Sequence, residues 1–498
     1  MTAAFPGTIP VARWPLAPRS QLRDSAGFPP ASRHPERYSV VGVEYARRPP
    51  GFVKGAMGTL NVMRQAGSRA VAVISVHASP LSDLGSGENG GMNLAIRRLC
   101  EGLSLRGVPT DVFVRRDGPG PDEELIAPLS RLVRLPVGPP VALRKEEVTE
   151  LLDDFTTATI RHAASERRSY RAIHGHYWHG GLVGRLLRDE WDVAWVQSFH
   201  TLALTKARAG LPLDAIRAQA EGELAAQADR LVAGSVAEAR DLIRLYHASR
   251  DRICVAQPGV DPRLFDPHDG PGLRERLGLS SADRVALFAG RLEPLKGAQI
   301  LLDAAARLRT RGEFGDLAVV VAGDDSGDGA PDNRGSERRR LERHAAQLGL
   351  GDHVRFVGAV PHEQLADYYA MADVCVVPSL TESFGLVALE AQALGTPVVA
   401  AAVGGLREIV EDGVTGFLVE GHDPADYARA MADVLADPLR KAEMGEDARR
   451  RAGRFTWHRA VDRLAAIYDR LSAEGQPSGS PCGYDDEDAA RLMGAAAS

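Results

Sequence analysis

Two series of short β-branched runs, each run followed by a helix-like stretch or a Gly-rich turn, constrain this chain more than any other feature. The first series opens with "AVAVISV" at residue 70 and continues through "DVFVRR", "AIHGHY", "VAWVQSF" and "RLVAGS". Runs that are apolar throughout, without alternation, suit strands buried on both faces. Strands that alternate with helices require a largely parallel sheet, because each parallel neighbour needs a crossover helix. A second series begins near residue 284 with "RVALFAG", then "LAVVVAG", "VRFVG", "DVCVVPS" and "TPVVAA". The expectation is therefore α/β, with two doubly wound domains. A length of 498 residues agrees, since it exceeds what one ordinary core organises.

The domain boundaries follow from what interrupts the series. "VAQPGVDPRLFDP" holds Pro258, Gly259, Pro262 and Pro267, a poor helix or strand and a natural hinge. It divides a first domain, 70–258, from a second, 259–474. Residues 1–69 carry ten Lys or Arg against three acids, nine prolines fall in the first fifty positions, and no apolar period is sustained. That composition is expected to stay disordered, as a basic, Pro-rich extension upstream of the alternative start points Met57 and Met63. Residues 475–498, with "GQPSGSP" and then "DDED", read as a solvated tail.

A formal net charge of −6 argues against general nucleic-acid binding, which needs a basic face. The cysteines Cys100, Cys254, Cys375 and Cys482 show neither zinc-ligand spacing nor a disulfide framework, which points to a reducing compartment. The longest small-apolar stretch, "ALGTPVVAAAVGGL", is broken by Gly and Pro before it can span a bilayer. A cytoplasmic location is expected.

Three loops carry candidate chemistry. "GSGENG", Gly85 to Gly90, satisfies G-x-G-x-x-G, but "HASPLSDL" separates it from the preceding strand, which disfavours an NAD(P)-dependent oxidoreductase. Gly90 and Gly91 instead offer bare amides before a helix starting near Met92, suited to a diphosphate, although a flexible turn accounts for the same glycines. "GRLEPLKG" sets Arg291 and Lys296 five residues apart at the C-terminal edge of a strand, where open α/β sheets bind ligands. "ESFGLVALE" places Glu382 on a loop and Glu390 within a helix, so that one carboxylate can accept from sugar hydroxyls and the other from a ribose. The amides of Phe384 and Gly385, at that helix start, can meet a phosphate. An unpaired Glu390 among Leu389, Ala391 and Ala393 would be costly, so a partner is expected.

Together these motifs resemble the retaining, nucleotide-sugar-dependent glycosyltransferases of family 4, over about residues 71 to 470. The resemblance implies the GT-B architecture, two Rossmann-like domains facing across a cleft. The strings "VISVHASPL", "GGMNLAI", "HGHYWHGGLVG", "SFHTLALTK" and "PGVDPRLF" are most similar to the branch of that family that moves N-acetylglucosamine from UDP to an inositol phosphate in mycothiol biosynthesis. By resemblance, His77, Gly90, Gly91, Arg291, Lys296, Glu382, Phe384, Gly385 and Glu390 hold the UDP-sugar donor. Asn93, Lys145, Tyr177, Thr201 and Arg217 then hold the acceptor, and His200 contacts the sugar. Catalysis would rest on His200, Arg291, Lys296 and Glu382. Two cations and two hydroxyls form a set that binds a phosphomonoester. Departures in "GSGENGGMN", "LTKARAG" and "VGPPVALRKEE" keep a second small polar acceptor, an aminocyclitol, open. No obligatory cofactor is implied; Mg2+ would enter as a diphosphate counterion, the metal site is unknown, and a homodimer is left open.

Overall fold

The computed structural model describes residues 70–82, 90–260, 269–312, 314–325, 336–472 and 482. The extension at 1–69 with its alternative starts, the loop glycines Gly85 and Gly87, the hinge beyond Val260 and all of the tail except Cys482 lie outside the described residues.

The first series forms β1 (Ala70–Ile74), β2 (Thr110–Arg115), β3 (Glu123–Ala127), β4 (Ser130–Leu135), β5 (Tyr170–His176), β6 (Ala194–Ser198), β7 (Arg230–Ala233) and β8 (Ile253–Val255). They join in the order β3-β4-β2-β1-β5-β6-β7-β8, parallel except for the antiparallel β3–β4 pair. The second series forms β9 (Arg284–Ala289), β10 (Leu317–Ala322), β11 (Val354–Gly358), β12 (Val374–Val377), β13 (Val398–Ala401) and β14 (Gly416–Val419). Their order is β11-β10-β9-β12-β13-β14, parallel throughout. Two doubly wound domains are thus present, as expected. Every residue of β1, β10 and β13 is buried, the two-sided covering that their unbroken apolar runs call for. Strands β3, β4, β8 and β14 escaped the sequence reading because each lies at or beside a sheet edge and is short or only partly apolar.

The winding reverses at β1 in one sheet and at β9 in the other, and crevices at carboxyl ends of such strands receive ligands. Contacts between the domains frame that crevice. Ser235 Oγ donates to the Ser383 carbonyl at 2.6 Å. The Glu408 carboxylate accepts from the amides of Val236 and Ala237, at the start of the helix Val236–Tyr246, and from Gln257 Nε2 at 2.8 Å. Donors that a helix start leaves unpaired are here satisfied from the other domain.

Two findings depart from the sequence reading. The helix Trp457–Ser472, counted with 259–474, buries Val461, Leu464, Ile467 and Tyr468 in one cluster with Val71, Val73 and Val112 of the first domain. The chain crosses back beside Gly259, where an added Cβ would lie 2.1 Å from the Thr456 backbone. Cys254, on β8, and Cys482 are joined by a disulfide, which corrects the expectation of unbridged cysteines. A separation of 228 residues carries no local signal; only the fold brings the two together. Cys100 and Cys375 are free and buried. No described helix is long and apolar enough to cross a membrane.

Candidate active site

A cavity of about 320 Å³ lies at the carboxyl ends of the two sheets and draws its lining from both domains. The first domain contributes His77 after β1, Gly90, Gly91 and Asn93 at the start of the helix Gly91–Leu105, and Lys145. Tyr177 after β5, and His200 and Thr201 after β6, complete that side. From the second domain come Arg291 and Lys296 after β9, then Glu382, Phe384 and Gly385 after β12. An added Cβ on Gly91 would lie 3.2 Å from Leu386, and one on Gly90 would lie 3.7 Å from Arg291 Nε. The Gly-rich turn and the second domain's loops therefore meet at the cavity.

On the second-domain wall, Lys296 Nζ donates to Glu382 Oε2 at 2.7 Å, and Arg291 pairs with Glu293 at 3.0 Å. The Glu382 loop is fixed by two glycines. Gly385 caps the helix Leu386–Ala393 at φ 106°, a left-handed conformation, and an added Cβ there would approach Leu406 to 2.7 Å. An added Cβ on Gly404 would fall 1.8 Å from the Glu382 carbonyl, and the neighbouring Gly405 amide donates to that oxygen at 3.0 Å. Backbone contact on this side holds Glu382 toward the cavity.

The first-domain wall is built around Tyr177. Tyr177 and His200, which follow two neighbouring strands, both have φ of 63°, a conformation costing a non-Gly residue of order 1–3 kcal/mol. Lys145 Nζ stands 6.0 Å from the Tyr177 ring centroid, and the Arg217 guanidinium 4.7 Å from it. Asn93 lines the cavity while its amide donates to the Ser79 carbonyl at 2.8 Å and accepts from the Gly90 amide at 3.1 Å, so it also shapes the turn.

A histidine stack closes the floor. His176 Nδ1 and His200 Nε2 are 2.8 Å apart with their rings stacked, the His174 ring lies tilted against His176 at 4.1 Å, and His174 reaches Tyr468 Oη at 2.6 Å and Ser198 Oγ at 2.9 Å. Burial lowers the His200 pKa to about 4, so the imidazole is neutral at physiological pH. His77 is lowered to about 3, by burial first and then by Lys145 and Arg217, and its Nδ1 has no partner among the described residues.

Two expected positions stand elsewhere. Glu390 does not line the cavity: it is 4% exposed, and its oxygens accept from His362 Nε2 at 2.8 Å and Tyr369 Oη at 2.9 Å. The partner that its apolar surroundings required is therefore present, but Glu382 and Glu390 do not share the cavity. Arg217 lies outside the lining as well; its Nε donates to Glu221 at 2.6 Å and its Nη2 to the Thr201 carbonyl at 2.5 Å and hydroxyl at 2.9 Å. It braces Thr201 and Tyr177 from within the domain.

The sequence reading passed over several lining groups. His174 and His176 are two apart on one strand, so alternation puts both on one face, a signal that "HGHY" already contained. Glu238 lines the cavity with Oε2 accepting from the Gly234 amide at 2.7 Å and Oε1 unpartnered among the described residues; burial raises its pKa to about 7. Lys206, in "LTKARAG", and Glu293, in "GRLEPLKG", also line it.

Comparisons with known proteins agree with this geometry. The family model for glycosyl transferases group 1 matches residues 271–451, and that for the glycosyl transferase 4-like domain matches residues 90–259. The chain is 46% identical to the D-inositol 3-phosphate glycosyltransferase of Geodermatophilus obscurus, over 82% of this chain and 91% of that relative. It is 40% identical to the protein of the same name from Corynebacterium jeikeium, over 82% of this chain and 100% of that relative. Among solved structures, sucrose-phosphate synthase from Thermosynechococcus elongatus superposes with a TM-score of 0.74 at 34% identity, covering 81% of this chain and 99% of that one.

Proposed function

Because this chain belongs to the group 1 glycosyltransferases and has their GT-B architecture, we propose that it moves a sugar from a UDP-sugar to a small phosphorylated polyol. The leading donor sugar is N-acetylglucosamine and the leading acceptor 1D-myo-inositol 3-phosphate, which makes the reaction the first step of mycothiol biosynthesis, in the cytoplasm. The names of the relatives support the acceptor. The observation that carries the reading is one cavity with Arg291, Lys296 and Glu382 on one wall and Lys145, Tyr177 and Thr201 on the other.

In this reading the anomeric configuration is retained by a front-face displacement. The bond from the anomeric carbon to the UDP oxygen breaks as the acceptor oxygen bonds to the same face, and the departing phosphate takes the acceptor's proton. Arg291 and Lys296 neutralise charge developing on the diphosphate, the kind of prearranged electrostatic help that dominates many rate enhancements. The Lys296–Glu382 pair exchanges partners when donor binds, freeing the ammonium for phosphate and the carboxylate for sugar hydroxyls. Neutral His200, oriented by His176, contacts the sugar without adding charge. The amides at Gly90, Gly91, Phe384 and Gly385 face the phosphates. Glu390 reads the ribose only if a ribose hydroxyl replaces the His362 bond. Arg291 and Lys296 meet the diphosphate charge, so no cofactor is assigned as obligatory; Mg2+ enters only as a counterion.

Mass spectrometry of products tests the reading. Purified protein given UDP-N-acetylglucosamine or UDP-glucose with inositol 3-phosphate should yield the glycosylated phosphate and UDP. Product with an aminocyclitol but none with inositol phosphate would sink the acceptor assignment and leave the transferase.

A further inference from the structure

A second cavity, of about 330 Å³, opens beside the first along the seam between the domains, and its basic groups have no part in the reaction proposed above. Arg208, Arg240 and Arg244 line it from the first domain, Thr381 and Gly404 from the second. Asp241 is the only carboxylate among the described residues that line it, so three guanidinium groups against one acid leave a surplus of two positive charges. None of Lys145, Tyr177, Arg217, Arg291 and Lys296 lines this groove, which is therefore separate from the donor and acceptor walls.

Two of the arginines have a structural reason for their positions. Arg208 reaches Asp241 at 3.5 Å, while the same carboxylate accepts from Thr205 Oγ1 at 2.8 Å. Arg244 stands in the last turn of the helix Val236–Tyr246, where a cation meets the negative end of the helix dipole. Arg240 has neither reason. It lies mid-helix, four residues before Arg244 and so on the same face, where like charges repel. Its Nε is buried and has no partner among the described residues. An unmet buried donor is costly, and an acceptor entering the groove removes that cost. The planar fork of a guanidinium matches two oxygens of a phosphate, and a surplus of two charges matches a dianion.

We propose that Arg208, Arg240 and Arg244 form a second anion site, for a phosphate-bearing dianion, at the seam between the domains. Gly404, on the far side of the groove, packs against the carbonyl of Glu382, so the site adjoins the loop that carries Glu382 without using its carboxylate. The site depends on neither the donor sugar nor the acceptor.

The test is isothermal titration calorimetry of the full chain with inorganic pyrophosphate, in saturating UDP so that the donor's diphosphate position is filled. Wild type is compared with Arg240→Met, Arg244→Met and Lys145→Met. Wild type should bind saturably, and loss of one charge-assisted contact in Arg240→Met should weaken binding on the order of 10- to 100-fold. Arg244→Met, whose side chain is more exposed, should weaken it by about threefold or more. Lys145→Met should keep the binding. No saturable binding by wild type up to about 10 mM pyrophosphate overturns the proposal. Equal affinity in wild type and both arginine variants overturns it too, as does binding lost in Lys145→Met but kept in Arg240→Met, which would put the anion on the acceptor wall. A wild type that takes no UDP counts against the donor reading alone, because the comparison between variants still reads the groove. If Arg240→Met does not fold, as judged by loss of UDP binding, Arg240→Gln takes its place with the same expected loss.

Discussion

Two polar clusters in the first domain make opposite use of buried charge. Around Asp111, fully buried on β2, the carboxylate accepts from Arg131 Nε at 2.8 Å, Arg168 Nε at 2.9 Å and Tyr170 Oη at 2.8 Å, and Arg131 also reaches Glu123 at 2.9 Å. Burial alone would raise the Asp111 pKa, but the Arg131 bond and the charges of Arg131 and Arg168 outweigh it and hold the group below the usual carboxylate range. At the cavity wall, His77 Nδ1 and Glu238 Oε1 have no partner among the described residues. The Asp111 carboxylate has its partners within the first cluster, whereas the orphaned atoms of the second face a cavity. Unmet polar capacity marks the site only where it faces a cavity, since Arg115 Nε, Trp195 Nε1 and the Gln392 amide are orphaned away from it.

The comparison can be broken from the structural side first. Asp111→Ala leaves two buried guanidinium groups without their common anion, and breaking a buried ion pair this way costs about 3–5 kcal/mol. Urea unfolding should show that loss with the donor KM of the folded enzyme unchanged; a cost under about 1 kcal/mol would mean that water replaces the carboxylate. The converse change is Lys296→Ala on the cavity side. Its removal should lower kcat by about 10²–10³-fold, as loss of one prearranged electrostatic group does, while unfolding stability moves by less than about 1 kcal/mol. Unchanged turnover of UDP-sugar would refute the part given to Lys296.

How much of this was legible depends on the range over which each feature is encoded. Unbroken apolar runs declared the buried strands, and the loops after them delivered Arg291, Lys296 and Glu382 to one cavity, because strand ends in a parallel sheet share an edge. Glu390 could be read as needing a partner, but His362 and Tyr369, 28 and 21 residues away, were not identifiable before the fold placed them. For Arg217 the sequence held one further signal: Glu221 follows at i+4 on the same helix, a spacing that permits their ion pair. The Cys254–Cys482 bridge and the return of the helix Trp457–Ser472 to the first sheet depend on tertiary packing alone.

Acid separates the two clusters with a smaller effect per group. Burial lowers the pKa of His77 and His174 to about 3 and that of His200 to about 4, against 6.5 when unfolded. Between those values the unfolded chain binds protons that the native chain refuses, so stability is intact above about pH 6.5 and is lost as pH falls. Each such histidine costs about 2 kcal/mol by pH 5. Asp111, held below the carboxylate range, stays ionised over this interval and adds nothing to the loss. Melting temperatures from pH 8 to pH 4.5 should decline accordingly; a flat profile would show that the cavity floor takes up protons without cost.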